Sequence, residues 1–220
     1  MGLKRYTKEE ALKIVQMCAE QYKNHLLDRS LLFILMDKHK RISTLEVSFV
    51  KRNFLHLTGF VVDKTELPGD RFFDLCIDKM LSVSNFELSE DGTTNLKLAV
   101  LPLLITKNLS ANSVGEFNGT GIKLYTEKIA GSSKGCIGFV LDKDTGFMLP
   151  NTVLNVDIRD CTKYPQSRII ATYRKNLQED TYTEIVHSAR DINFDTVVFP
   201  EAYACLPKPN RQALVKSKTS

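Results

Sequence analysis

The apolar pattern changes character midway along the chain, and that change limits the fold more than any single motif. In the first half, apolar residues recur at helical spacing. Leu12, Val15, Cys18, Ala19, Tyr22 and Leu26 follow Thr7-Lys8-Glu9-Glu10, a T-x-x-E capping box. This predicts a helix over about 8–27. Phe72, Phe73, Leu75, Cys76, Met80 and Leu81 predict a second helix after the turn signal at Pro68-Gly69-Asp70. A third opens at Thr93-Thr94 and is interrupted at Pro102. Between the first two, Leu31–Met36 is apolar throughout, and its periodicity fits a buried strand or a short buried helix. Ser43–Val50 alternates, with Leu45, Val47 and Phe49 on one side, and predicts a half-buried strand.

In the second half, short strand-like runs alternate with turn residues. The runs are 122–125, 137–141, 147–149, 168–173 and 182–186. Gly131-Ser132-Ser133-Lys134-Gly135 and Asp142–Gly146 read as turns, and 155–166 as a polar connection. Helices first and a sheet after predict an α+β protein, its N-terminal helices packed on a small, mainly antiparallel β-sheet. The length of 220 residues suits one large core, and no linker divides it. The expected organisation is a single domain over 1–206 and a basic, disordered tail over 207–220.

Charge says little about partners. The tail holds Lys208, Arg211, Lys216 and Lys218 and no acid; removing those four from the 30 cations leaves 26, equal to the 26 acidic residues. Any nucleic-acid surface is therefore a local patch. No apolar run approaches the roughly 18 residues of a membrane span, and no secretory signal precedes the first helix. The expectation is a cytoplasmic protein without membrane contact. The five cysteines are scattered, odd in number and lack zinc-ligand spacing, and the four histidines are isolated in sequence. Neither a metal nor a cofactor is expected.

The sequence lacks the fingerprints of P-loop, dinucleotide, zinc-protease and α/β-hydrolase enzymes. What it offers is polar clusters. The densest is Lys51-Arg52-Asn53-Phe54-Leu55-His56-Leu57-Thr58-Gly59. Others are Ser132-Ser133-Lys134, Asn151-Thr152 with Asp157-Ile158-Arg159-Asp160, and Arg168 with Tyr173, Arg174 and Lys175. A ribonuclease without a metal needs a base for the 2′-hydroxyl proton, cations for the phosphorane and an acid for the 5′-oxygen. Histidine suits either proton transfer, and Arg and Lys suit the phosphorane. Each residue also has a structural reading. His56 can cap the turn at Gly59, Asn151-Thr152 can be a turn and cap, Asp157–Asp160 an ion-pair segment, and Lys134 a solvated loop lysine.

The string Arg52-Asn53-Phe54-Leu55-His56-Leu57-Thr58-Gly59 resembles the R-N-F-x-H-L-T-G signature of phage-associated nucleases of the barnase–EndoU–colicin–RelE-like group, carried by mobile elements of Gram-positive bacteria. Leu149-Pro150-Asn151-Thr152-Val153-Leu154 leading to Asp157-Ile158-Arg159-Asp160, and Arg168-Ile169-Ile170-Ala171 leading to Lys175, fit the same family. The resemblance spans roughly residues 30 to 190. It implies N-terminal helices followed by a four-stranded antiparallel sheet. It implies metal-independent cleavage of RNA, with tRNA among the candidates, and a toxin or effector role with an immunity or antitoxin partner. Carried over by position, His56 is acid or base. Arg52, Lys134 and Arg168 bind or stabilise phosphate, and Thr58, Asn151 and Thr152 orient it. The neutral body of the chain departs from the basic face expected of a nuclease. Two rival expectations remain: a non-catalytic regulatory or protein-binding protein of a mobile element on the same fold, and an enzyme acting on a small molecule through the same polar pocket.

Overall fold

The computed structural model describes residues 4–119 and 125–209. Thr7 begins the first helix, α1 (Lys8–His25), through a complete capping box: Glu10 N donates to Thr7 Oγ1, and Thr7 N donates to Glu10 Oε2. The helix ends at His25, and Asp28 in left-handed backbone (φ 56°) turns the chain into β1 (Arg29–Met36). β1 pairs antiparallel with β2 (Ile42–Phe49). A one-turn helix over Lys51–Asn53 leads into α2 (Phe54–Thr58), then β3 (Phe60–Val61) and α3 (Gly69–Ile77). β4 (Glu87–Leu88) pairs with β3, and α4 (Thr93–Leu104) completes the helical layer. Pro102 lies inside α4, which runs through it for two more residues.

The remaining strands are β5 (Ser113–Glu116), β6 (Lys128–Ser132), β7 (Gly135–Leu141), β8 (Met148–Leu154), β9 (Ser167–Asn176) and β10 (Glu184–Ser188). A short helix, α5 (Ile158–Cys161), breaks the connection from β8 to β9. Among the described residues the main sheet has eight strands, in the order β1-β2-β8-β7-β6-β5-β9-β10, and β1 also pairs with β9. Seven of them therefore close into a ring, with β10 on the part of the β9 edge that β5 leaves free. Closure reduces the exposed edges on which unpaired strands aggregate, leaving β10 paired on one side. Every pairing is antiparallel except β2 with β8, which join at Val47 and Met148 alone.

The α+β architecture with a mainly antiparallel sheet is as the pattern predicts. The sheet is larger than the resemblance implies, eight strands rather than four. β5 and β6 escape the pattern because they are short and glycine-bearing. Gly131 and Ser132 belong to β6 and Gly135 to β7, so only Ser133 and Lys134 form the turn. Residues 122–124 of one predicted strand lie outside the described residues, as do 210–220 of the tail.

Two cores sit on opposite faces of β1. On one, Tyr22 of α1 meets Phe54 of α2 and Phe73 of α3 edge-on, with ring centroids 5.2 and 5.7 Å away, above Phe49 of β2. On the other, Leu32 and Ile34 pack with Ile170, Ala171 and Tyr173 of β9 and with Phe194, Val197, Phe199 and Leu206. The segment after β10 thus crosses the sheet as a strap. β1 shows no alternation because both its faces are covered. β2 is correspondingly more than half-buried: Ser48, on the side away from the helices, is fully buried.

Candidate active site

The motif from Arg52 to Gly59 is a structural joint for most of its length. Phe54, Leu55 and Leu57 are buried in the helix-side core. Asn53 is buried and its Nδ2 donates to Pro150 O of β8 (3.0 Å). Thr58 Oγ1 donates to Leu55 O (2.8 Å) and accepts from Phe60 N (3.0 Å), closing α2 on itself. Gly59 is left-handed (φ 73°), and a Cβ there would lie 3.0 Å from Lys97 Cδ and 3.1 Å from Thr94 Cα. That close approach lets Lys97 Nζ donate to His56 O (2.6 Å), satisfying a carbonyl at the C-terminus of α2.

His56 itself is exposed, and its imidazole makes no hydrogen bond among the described residues. Loss of water around the ring, then the charges of Lys64 and Lys97, lower its pKa. Burial lowers that of Lys97 to about 8, against the pull of Asp91. Arg52 is exposed but engaged: its Nη2 lies 2.7 Å from Asp142 Oδ2 in the β7–β8 turn.

The other predicted residues stand elsewhere. Asn151 is the extra residue of a bulge in β8, between partners of Gly138 and Phe139. Its Nδ2 donates to Tyr125 O and its Oδ1 accepts from Thr126 Oγ1 (3.1 Å). Thr152 is buried opposite Gly138, where a Cβ would come within 2.9 Å of Thr152 Cγ2. Lys134 is exposed on the β6–β7 turn, beside a hollow of about 310 Å³ shared with Leu103 and Asn112. It precedes β7 while Asp142, the partner of Arg52, follows it, so the strand length holds the two sites roughly 20 Å apart. Arg168 is the second residue of β9 and forms a two-toothed ion pair with Asp191 at 2.7 and 2.5 Å. That pair holds the Asp191 carboxyl down at about 2. The seven residues thus fall into separate places. Arg52 lies in the one-turn helix, His56 and Thr58 in α2 that follows it, and Asn151 and Thr152 adjoin them through β8. Lys134 and Arg168 stand away from these, linked to each other through β5, where Ser113 pairs with both Gly131 and Arg168.

A different set of side chains does converge, on the face of the sheet away from the helices. Glu46 of β2 accepts from Ser30 Oγ of β1 at Oε1 (3.0 Å) and from Tyr203 OH at Oε2 (3.2 Å). Lys175 of β9 brings its Nζ to 3.9 Å from Glu46 Oε1 and to 4.8 Å from the centre of the Tyr182 ring. Tyr182 OH donates to Ser30 Oγ (2.9 Å), and Ser48 Oγ to the same oxygen (3.2 Å). Burial raises the pKa of the Tyr182 phenol far above its ordinary value, and that of Tyr203 in the same direction. Glu46, Lys175, Tyr182 and Tyr203 line a cavity of about 590 Å³, walled by the 180–183 turn on one side and by Ala202–Pro207 on the other, with Ser30 and Ser48 buried beneath them.

Strand register builds this site. Ser30 pairs with Ser48 and with Lys175, and Leu32 with Glu46, so the alternation that sends Leu31, Val47 and Phe49 to the helices sends Ser30, Glu46, Ser48 and Lys175 the other way. Of this set only Lys175 stands out among the sequence clusters. The sign that could have flagged the rest is the polar half of β2, Thr44, Glu46 and Ser48.

Among the described residues no group of three or more His, Cys, Asp and Glu side chains is placed to hold a metal ion, and no helix is long and apolar enough to cross a membrane. No match is found among curated proteins or among solved structures. Residues 14–191 match the family described as phage-Barnase-EndoU-ColicinE5/D-RelE like nuclease4. That match takes in β1, β2, β9 and Tyr182, and the chain belongs to this family of nucleases.

Proposed function

We propose that the protein cleaves RNA without a metal and that the reaction centre is the pocket of Glu46, Lys175 and Tyr182. One observation carries this reading: a carboxylate, an ammonium and two phenols, that of buried Tyr182 and that of half-buried Tyr203, meet from separate strands and loops around a cavity on the sheet of a nuclease family. In this reading Glu46 takes the proton of a 2′-hydroxyl, and the freed oxygen attacks the adjacent phosphorus. Lys175 offsets the charge that builds on the non-bridging oxygens. The departing 5′-oxygen takes its proton from water, because the Tyr182 OH is already donated to Ser30 Oγ (2.9 Å) in a buried hydrogen bond. The products are a 2′,3′-cyclic phosphate and a 5′-hydroxyl. His56 and Arg52 serve as an outlying contact for the RNA backbone, and tRNA is among the substrates to test. A toxin or effector role with a neutralising partner belongs to the same proposal and predicts growth arrest on expression.

Incubating purified protein with total RNA in EDTA tests the reaction. Cleavage that a folded Glu46→Gln variant lacks supports it. Equal cleavage by both points to another group or a contaminant. Absence of cleavage by the wild type favours a second reading, a non-catalytic regulatory protein. That reading draws on Arg52 and Arg168, whose guanidinium groups are already engaged by Asp142 and Asp191.

A further inference from the structure

The family match ends at residue 191, yet the pocket does not. Its outer wall is Ala202–Pro207, in the strap that follows. The strap is anchored at several points. Phe194, Val197, Phe199 and Leu206 are buried against the sheet, Tyr173 OH donates to Pro207 O (2.8 Å), and Lys208 Nζ donates to Asp195 O (3.3 Å). It is a wall and not a plug, because a cavity of about 590 Å³ stays open between it and the 180–183 turn. Its inward group is Tyr203, whose phenol holds the second oxygen of Glu46 (3.2 Å). The Tyr203 ring stands 6.5 Å from that of Tyr182 at an interplanar angle of 66°, so the cavity has aromatic surface on two sides.

We propose that the strap is a working part of the site: Tyr203 orients the Glu46 carboxylate and gives the pocket an aromatic wall for an unstacked nucleobase. This rests on the ribonuclease reading for its reaction, though not for its binding. The Glu46 carboxylate is held at both oxygens, by Ser30 from the sheet and by Tyr203 from the strap, which fixes its plane. A phenol ring offers a nucleobase a stacking surface that tolerates any base, and the lysine beside it meets the phosphate. Tyr203 is a positioning residue for the reaction and a contact residue for the base.

Two variants of the full chain separate these roles. Tyr203→Phe keeps the ring and loses the hydroxyl on Glu46. It is expected to lower kcat on a short single-stranded RNA roughly tenfold while leaving KM within about twofold. Tyr203→Ala loses the ring as well and is expected to raise KM by about tenfold or more, the scale of one stacked base. The wild-type protein supplies an independent readout that needs no catalysis. Cys205 lies on the strap, lines the cavity and is exposed, while the other four cysteines are buried. Uridine 3′-monophosphate is expected to slow labelling of Cys205 by a maleimide several-fold. Protection without RNA cleavage would retain the strap as a nucleotide-binding wall and reject the ribonuclease reading. Cleavage with unchanged kinetics in both variants, or labelling indifferent to the nucleotide, would overturn the inference.

Discussion

The two faces of the central sheet use polar residues in opposite ways. On the helix side, a contiguous run of eight residues, Arg52–Gly59, places its amide and hydroxyl inside the packing. Asn53 ties α2 to β8, and Thr58 closes α2. On the far side, Glu46, Lys175, Tyr182 and Tyr203 come from stretches up to 157 residues apart in the chain and surround a cavity. A motif that is dense in sequence can thus be a joint, because neighbours in a short helix point in all directions and most must be buried. Strand alternation, by contrast, collects distant residues on one surface. The exposed exceptions in the joint are Arg52, whose guanidinium is engaged by Asp142, and His56.

The sharpest way to break this contrast is kinetic. Glu46→Gln and Lys175→Ala are expected to lose RNA cleavage by about two orders of magnitude or more, and His56→Ala less than about tenfold. The reverse ranking, measured on folded protein, would move the reaction centre to the motif.

The next effects are on stability. Gly59→Ala must adopt φ 73° against Lys97 and Thr94 and is expected to cost about 1–3 kcal/mol in denaturant unfolding. Thr58→Val leaves the buried Phe60 N–H without its acceptor and should cost about 1–2 kcal/mol. Activity per folded molecule should change little in Thr58→Val, and a selective loss of activity would return that residue to the site.

Lys97 provides a pH signature of the joint. Its pKa is lowered from 10.5 to about 8, so between those values the unfolded chain holds the extra proton. Its contribution to stability therefore rises with pH through that window, and is lost as pH falls through about 8. Lys97→Met should lack that rise when unfolding curves are compared across the window. A rise of equal size in the variant would assign the pH dependence to other groups.

Arg168→Ala should have the smallest effect. Both partners of its ion pair are half-exposed or more, so the loss should stay below about 1 kcal/mol. RNA cleavage should persist, and a large loss of cleavage would place the β9 end in the reaction.

Much of the architecture is legible along the chain because it depends on local periodicity. The capping box at Thr7, the helical spacing to Tyr22, the alternation of β2 and the turn at Asp142–Gly146 each state their structure within a few residues. β5 and β6 are harder to read, since Ser113–Glu116 and Lys128–Ser132 lack the β-branched run that marks a strand. The strap is also silent in sequence: Phe194, Val197, Phe199 and Leu206 fit neither period, because an irregular segment places its apolar groups by the surface it crosses.

Local pattern therefore accounts for the class of the fold, its order of helices and strands, and the motif by which the family is recognised. Long-range pairing accounts for the ring of strands and the pocket. Ser30 meets Lys175 only through the register of β1 with β9, and Glu46 meets Tyr203 only because the strap packs over that face. The physical reason is that periodicity is written in neighbours three or four residues apart. Register and burial of a second sheet face are set by the packing of surfaces that the chain brings together only when it folds.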